Sequence, residues 1–515
     1  MEREDTPLLR SQPSTSVEVQ NSRKPHPILG IWLGFSPSFK YCIGLELLCE
    51  LAMMITTVPM VSVLEQAVCI RYYHGDLPNP DLCKISPIQQ TLAEVRGWMA
   101  SFETLAAIIV ALPIGRVADY RGQRGVFMIV VTGMLMSLTW TLVVATNPVF
   151  SIKLVWASSV FLLIGGGRYA AEMLLAAMIA KACNEETRTR GLYHFYSCFI
   201  FSELIGPLIA SITADVSPWL PFIISYILLL LTFPLLAIMP QDHTTSESTL
   251  TTSGHSEDVH GLPEHRSIIR AITYASIDQY QLLNIIFSNR NMRLAAVVFL
   301  VCTFRGISMR AFIPYASVRF GWKLSRTNAL ISEVALVNLV LFFFIMPALL
   351  RMISKYFKPA NQTLNVGIVK ASLSLLFTGS LFLAFATNSA FFIAATMIYG
   401  LGFGARSTLL SLATSWINPE RAGTLYSAVF LVEQIGMLGG EPLVQTMLGV
   451  GIGLQDPWKG LPFICTSVSS QRQKMRIFDT KKLYQAGLFH EPHLHFRNDS
   501  VTGWVVDWLG LSQGL

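Results

Sequence analysis

Glutamates and arginines interrupt the long apolar runs of this sequence, in places where an ionisable group needs a partner or water. A charge at the centre of a bilayer costs about 2.5–3.5 kcal/mol on insertion scales. Because so many charges cannot all face lipid, the sequence predicts that the interior of the membrane-spanning part is charged and contains water. The residues predicted to line a pathway for protons or a polar substrate are Glu46, Glu50, Glu103, Arg168, Glu172, Glu203, Arg305, Arg406 and Glu433; Arg310, Glu333 and Glu441 have similar surroundings.

The spacing of two pairs suggests local chemistry in the first half of the chain. Glu46 and Glu50 are four residues apart and share one face of a helix. Two carboxylates so placed resist joint ionisation, which would suit a proton acceptor. Arg168 and Glu172 have the same spacing and can form an ion pair along one helix. Whether that pair acts in transport or only ties helices together is left open by the sequence.

A repeated pattern relates the two halves of the chain. Tyr196-Ser197-x5-Glu203-x-Ile205-Gly206 recurs 230 residues later as Tyr426-Ser427-x5-Glu433-x-Ile435-Gly436. Transporters built from duplicated halves carry weak internal symmetry of this kind. We therefore expect Glu203 and Glu433 to line a cavity. Two alternatives remain for Arg305 and Arg406, which either hold an anionic group of a substrate or neutralise nearby glutamates.

The elements that must position these residues are membrane-spanning helices. The chain has 515 residues, of which 52% are hydrophobic and 14% charged, whereas soluble domains carry about 25% charged residues. This composition predicts an all-α polytopic membrane protein. The predicted spans are 41–63, 92–114, 125–145, 153–182, 191–213, 217–239, 294–316, 327–350, 367–387, 390–416 and 424–448.

Basic residues set the predicted orientation and the domain order. They are concentrated in the N-terminal segment and in alternate loops, which places the N-terminus in the cytoplasm. The predicted units are a disordered cytoplasmic tail (1–40), a six-helix half (41–239), a cytoplasmic central loop (240–293), a second half with five clear helices (294–465) and an atypical polar tail (466–515). The modest net charge of +6 is explained by basic loops without a nucleic-acid partner.

The end of the sequence departs from a pattern of six plus six helices. A twelfth helix begins at Gly460-Leu461-Pro462-Phe463-Ile464 but turns polar from Ser467 onward. Either this helix is missing, or the tail derives from an altered reading frame or splice. An inside N-terminus followed by eleven spans places the tail outside the cell or in an organelle lumen. Asn498-Asp499-Ser500 would then be a glycosylation site.

The turn between the second and third predicted spans carries the most specific motif. It has the pattern Gly115-x3-Asp119-x2-Gly122-x-Arg124, with Arg121 inside it. This spacing resembles the signature loop of the major facilitator superfamily, where the loop joins transmembrane helices 2 and 3. The resemblance implies a major facilitator fold of two pseudo-symmetric six-helix halves that rock around a central site. It also implies that Asp119 and Arg124 belong to a cytoplasmic latch, closed in the outward-facing state.

The long loop between the first two spans narrows the resemblance. With Arg71-Tyr72-Tyr73 and Cys83-Lys84 it looks like a fungal subgroup whose members resemble exporters of secondary metabolites or toxic compounds. The resemblance implies a secondary transporter in the plasma membrane that exports a small organic molecule. The buried carboxylates predict that this transport is coupled to protons, and a monomer is expected. The sequence lacks a G-x4-G-K-[ST] phosphate loop, so an ATP-driven pump is not indicated. Neither a cofactor nor a metal is expected.

Two other classes of protein stay open from the sequence. A nutrient importer with the same fold would share these features, and a membrane receptor or membrane-embedded enzyme is the second alternative.

The outer loop also contains Cys69 and Cys83. Because both are predicted to lie in an oxidising compartment, we expect them to form a disulfide.

Overall fold

The computed structural model describes residues 36–74, 80–183, 185–240, 290–346, 348–349, 352, 361–414, 422–454 and 458–471. The regular structure in these residues is helical throughout. The N-terminal tail (1–35), most of the central loop and the final tail, which includes Asn498, lie outside them. The predictions for those segments, including glycosylation and the location of the tail, therefore stay predictions.

Six helices form the first half of the molecule. They are α1 (Pro37–Tyr72), α2 (Ser86–Arg121), α3 (Gln123–Thr146), α4 (Ser158–Leu162 followed by Gly167–Ala182), α5 (Glu185–Val216) and α6 (Leu220–Ile238). Each predicted span of this half coincides with one of them. The Ser36 hydroxyl caps α1 by accepting from the Phe39 amide at 3.3 Å, and Pro37 fits the first turn because that turn needs no amide donor.

The second half repeats this order. Its helices are α7 (Arg290–Phe320), α8 (Leu324–Val340), α9 (Asn361–Ala384), α10 (Ser389–Leu401 followed by Gly404–Thr414) and α11 (Ala422–Gly453). A π-helical turn, Leu341–Ile345, extends α8. A 3-10 turn at Trp458–Gly460 then leads into a further helix over 461–471, which we label α12.

The fourth span is broken rather than continuous, so the prediction of one helix over 153–182 was wrong. Its first part ends at Leu162 and its second begins at Gly167. Gly166 has φ of 79° and Gly167 has φ of 64°. These values lie in the left-handed region, which a β-carbon disfavours. The break places the start of the second part inside the bundle, directly before Arg168.

The chain contains the beginning of a twelfth helix, and this helix continues through the serine-rich stretch at which the sequence predicts its end. Phe463 is fully buried, and its ring lies 5.0 Å from that of Tyr315 in α7. Thr466 and Ser308 of α7 share a hydroxyl–hydroxyl hydrogen bond of 2.8 Å. Serines and threonines can therefore belong to the buried face of α12. At 1.5 Å per residue the described part is about 16 Å long, roughly half of a bilayer core.

Each half has its own hydrophobic core, and the halves meet mainly through two pairs of helices. α2 packs against α11, and α5 packs against α8. The approach of α2 to α11 is close, since a β-carbon on Gly97 would lie 2.9 Å from the Cα of Pro442. Among the described helices, eight are long and apolar enough to span a membrane. The helices α2, α8 and α11 are not among these eight, whereas α5, which also lies at the contact between the halves, is.

A disulfide and an arginine hold the outer corner of the first half. Cys69, near the end of α1, is bonded to Cys83 in the turn before α2, with the two Cα atoms 5.3 Å apart. Arg71 donates to the carbonyl oxygens of Val144 and Asn147, both at 2.7 Å, at the end of α3. These bonds satisfy carbonyls that a helix end leaves without partners. Three helices are thereby fixed to one another at this corner.

Removing this disulfide should lower stability without changing the fold. The cross-link closes a loop of thirteen intervening residues and contributes about 3 kcal/mol in the chain-entropy model. We expect the purified Cys69→Ser/Cys83→Ser protein to unfold at a lower temperature than the wild type. On intact cells, a membrane-impermeant maleimide should label Cys69 and Cys83 only after reduction. Labelling before reduction would contradict the bond.

Candidate functional site

The first ionic cluster lies between α1 and α4 and has Arg168 at its centre. The guanidinium of Arg168 donates to Glu50 at 3.1 Å and to Glu172 at 2.9 Å. Glu50 is only 2% exposed, whereas the Arg168 side chain is 30% exposed. The Phe199 ring of α5 lies 5.5 Å from the Arg168 guanidinium. One face of this arginine is thus bound to carboxylates while another part of it stays accessible.

Glu46 completes this cluster. It lies one helical turn before Glu50, is 2% exposed, and interacts electrostatically with Glu50, Glu172 and Arg168. The structure therefore brings together the two pairs that the sequence suggested separately. The contact of Arg168 with Glu172 follows from their spacing, whereas the contact with Glu50 depends on how α1 and α4 pack.

A second cluster connects α2 with α7 and α11. Arg310 of α7 forms an ion pair of 2.8 Å with Glu441 of α11, which is 2% exposed. Arg96 of α2 donates to the carbonyl oxygen of Arg310 at 3.4 Å and to Gln445 of α11 at 3.5 Å. Glu103 interacts electrostatically with Arg310 and Glu441. This cluster crosses from one half of the molecule to the other.

Arg96 and Gln445 were missed by the sequence analysis. The predicted span began at residue 92, which placed Arg96 at its edge, whereas α2 begins at Ser86. The signal that could have located this start is Ser86-Pro87, because proline is favoured in the first turn of a helix. An earlier start moves Arg96 about ten residues into the helix.

The third cluster lies within the second half. Arg406 of α10 donates to both carboxylate oxygens of Glu433 of α11, at 2.5 and 2.7 Å. Two parallel charge-assisted bonds of this kind are strong and directional. Of the two alternatives left by the sequence, the structure therefore supports neutralisation for Arg406. Glu333 of α8 lies apart from this pair and accepts from the Thr396 hydroxyl at 2.8 Å.

Arg305 of α7 is different from the other interior arginines. Its guanidinium carbon lies 3.0 Å from the centre of the Phe403 ring, and among the described residues its hydrogen-bond acceptor is the sulfur of Met309 at 3.9 Å. Glu203 of α5 attracts it electrostatically from the other half, but the two do not form an ion pair within 4.0 Å in the described residues. Glu203 and Arg305 thus attract each other from different halves without forming an ion pair in the described residues.

In the orientation predicted from the basic loops, the N-terminus is cytoplasmic. With this orientation, the contacts that join the halves lie in the middle and outer parts of the helices. Ser101 of α2 donates to the Leu438 carbonyl at 2.8 Å, and Ser332 of α8 donates to the Leu204 carbonyl at 2.9 Å. Ile313 of the second half packs into the apolar cluster formed by the outer ends of α1 and α2. The described structure is therefore closed at its outer side.

Three arginines of the clusters remain accessible although Glu50, Glu441 and Glu433, which they bind, are buried. The side chains of Arg310 and Arg406 are 39% and 51% exposed, whereas those of Glu441 and Glu433 are 2% and 9% exposed. This pattern fits groups that line an accessible space inside the bundle. Side chains arranged in this way can bind an anion, exchange ion-pair partners or transfer a proton between carboxylates.

The motif between the second and third spans is more helical than predicted. α2 continues to Arg121, so Gly115, Asp119 and Arg121 belong to its final turns, and Gly122, with φ of 91°, makes the connection to α3. Arg124 donates to the carbonyl oxygen of Pro240 at the end of α6. The side chains of Asp119 and Arg121 lie outside the described part of the structure. The proposed cytoplasmic latch therefore stays a prediction.

Comparisons with known proteins agree with this architecture. An MFS efflux pump of Emericella nidulans, atnC, is 26% identical over 90% of this chain and 90% of its own length. An efflux pump of Aspergillus flavus, ustT, is 25% identical over 79% of this chain and 81% of its own. The similarity therefore extends over nearly the whole length of proteins named as efflux pumps.

Solved structures show the same fold at lower identity. A D-xylose–proton symporter matches with a TM-score of 0.58 and 14% identity, over 85% of this chain and 97% of its own. The human organic anion transporter MFSD10 matches with a TM-score of 0.53 and 15% identity, over 86% and 99%. The family model of the Major Facilitator Superfamily matches residues 82–440. The resemblance noted at the Gly115–Arg124 motif is thereby confirmed, and this chain belongs to the Major Facilitator Superfamily.

Proposed function

We propose that this protein is a secondary active transporter that exports a small organic molecule, such as a secondary metabolite or a toxic compound, across the plasma membrane. The observation that carries the proposal is the set of accessible arginines paired with buried carboxylates, contributed by both halves and by helices at their contact. The names of the two efflux pumps to which the chain is similar support the direction of transport.

The arrangement of the halves supports alternating access. The outer parts of α2 and α11 are in contact, and the Ser332–Leu204 hydrogen bond joins α8 to α5. In this reading the structure corresponds to the state that is closed to the outside. Export then requires these outer contacts to break while the cytoplasmic ends of the halves come together. The latch around Asp119 and Arg124 would stabilise that second state.

Proton coupling is the second part of the proposal. Glu50 and Glu172 compete for one arginine, and Glu46 adds a third carboxylate to the same cluster. A proton that neutralises one of them changes the set of ion pairs around Arg168, and so alters the balance between the two states. The sequence offers no phosphate-loop motif as an alternative source of energy.

The proposal is tested by measuring transport in sealed membrane vesicles that contain the protein. Inside-out vesicles are incubated in a metabolite extract of the native host, and the compounds that they accumulate are identified by mass spectrometry. Accumulation should stop when the pH gradient is dissipated. Accumulation that follows only the concentration difference of the compound would exclude proton coupling, and no protein-dependent accumulation would exclude transport.

An importer of similar fold is separated from an exporter by the behaviour of whole cells. Deletion of an exporter raises the amount of its substrate inside the cells and lowers it in the medium, whereas deletion of an importer does the opposite. A receptor or membrane enzyme would change neither. Metabolite profiles of cells and medium from a deletion strain therefore distinguish the three classes.

A further inference from the structure

The interior arginines differ in how their donors are used. Arg168, Arg310 and Arg406 each bind a glutamate at 3.1 Å or less. Arg96 donates to a glutamine and to a backbone carbonyl. For Arg305, the contacts in the described residues are the Phe403 ring and the weakly accepting sulfur of Met309. It is the guanidinium in this set that binds neither a carboxylate nor a carbonyl.

The stacking on Phe403 fixes the direction of the remaining donors. A guanidinium is planar, and its N–H groups point outward in that plane. The guanidinium carbon lies over the ring of Phe403, 3.0 Å from its centre, so the ring shields this side of the guanidinium and its N–H groups must bind partners elsewhere. Such a fork matches the two oxygens of a carboxylate, sulfate or phosphate group. The phenylalanine thus holds Arg305 in an orientation suited to bind an anion.

The position of Arg305 makes an unpaired charge costly. It lies in the middle of α7, where an ionisable group normally has a partner or marks a substrate pathway. Glu203 attracts it from α5 but stays beyond ion-pair distance, so it leaves the donors accessible. Glu203 belongs to the first half and Arg305 to the second. An anion bound to Arg305 would therefore lie near the contact between the two halves.

We propose that Arg305 binds an anionic group of the transported molecule, and that the substrates of this protein are therefore organic acids. The inference rests on the proposed function, since it names the chemical class of the molecule that is exported. Phe403 acts as a positioning residue that holds the Arg305 guanidinium in place for binding that group. Arg406 is instead held by Glu433, which accepts from its Nε and from one terminal nitrogen.

The test compares strains of the native host in which the gene is deleted and then replaced. The replacements are the wild type, Arg305→Gln, Arg305→Lys and Arg326→Gln. Arg326 is a matched control because its guanidinium also stacks on an aromatic ring, 4.8 Å from the centre of Trp322, but at the exposed outer start of α8. Medium and cells are compared by mass spectrometry, and the amount of each variant in the membrane is measured in parallel.

We expect the wild type and Arg326→Gln to return a set of organic acids to the medium. Arg305→Gln should reduce their export about 10- to 100-fold, the loss that corresponds to removing hydrogen bonds to a charged group. Arg305→Lys, which keeps the charge but not the fork, should give an intermediate rate.

Three outcomes would overturn the inference. Neutral or cationic compounds exported by the wild type would do so directly, and this holds even when Arg305→Gln does not reach the membrane. Unchanged export of acids by Arg305→Gln would show that the arginine does not bind them. If the deletion changes neither medium nor cells, the proposed function itself fails, together with the inference.

Discussion

Replacing Arg168 by glutamine is expected to abolish transport and to destabilise the protein. The change leaves Glu50, which is 2% exposed, without its cationic partner, while Glu46 and Glu172 remain beside it. Removing one member of a buried ion pair costs about 3–5 kcal/mol. We therefore expect a clear fall in the unfolding temperature of the detergent-purified protein and export close to that of the deletion strain.

A second variant separates the two effects. In Arg168→Gln/Glu50→Gln both charges are removed, and the two neutral amides can pair with each other. Replacing both members of a buried pair is often nearly neutral for stability. We expect the double variant to recover most of the lost stability but not transport. Recovery of both would show that the cluster only ties α1 to α4, and that the transport pathway lies elsewhere.

Locking the outer contact should stop transport completely and reversibly. Ser86 begins α2 and Gly453 ends α11, so they lie on different halves. A β-carbon on Gly453 would lie 3.9 Å from that of Ser86, close to the mean separation of about 3.8 Å in disulfides. The Ser86→Cys/Gly453→Cys protein should therefore cross-link under oxidising conditions and remain closed to the outside. Export should fall to background and return after mild reduction.

The controls for this experiment account for the native disulfide. Each single cysteine variant and the wild type are treated with the same oxidant and reductant, because the reductant also acts on Cys69–Cys83. The fraction that is cross-linked is read from the shift of a cleaved fragment on a gel. A cross-linked protein that still transports at the wild-type rate would contradict alternating access around this contact.

The membrane spans could be predicted because each one is an apolar run of sufficient length. Each of the eleven predicted spans overlaps a helix, but the fourth and the tenth are each divided into two helices. The break in α4 was missed because hydropathy averages over the whole window, although Gly165-Gly166-Gly167 stood in the sequence as a local signal. Conversely, the polar composition after Ser467 concealed a helix, since its serines and threonines find partners on α7 and on their own backbone.

The candidate site could be predicted only in part, because it depends on contacts between helices. The pair Arg168–Glu172 follows from a spacing of four residues, and the structure shows it. The pairing of Glu50 with Arg168 and of Arg310 with Glu441 depends on how helices are rotated against one another, which a single sequence does not specify. For the same reason the sequence could not distinguish Arg406, which has a carboxylate, from Arg305, which does not.

The break in α4 has an electrostatic consequence for the cluster around Arg168. A helix that starts inside the bundle presents the N–H groups of its first turn there, and these carry the equivalent of about half a positive charge. Because that turn begins at Gly167 and contains Arg168, its partial charge adds to the full charge of this arginine. The three carboxylates of this cluster are thus opposed by more positive charge than one arginine supplies. Part of that field belongs to the backbone, and no side-chain substitution that preserves the break can remove it.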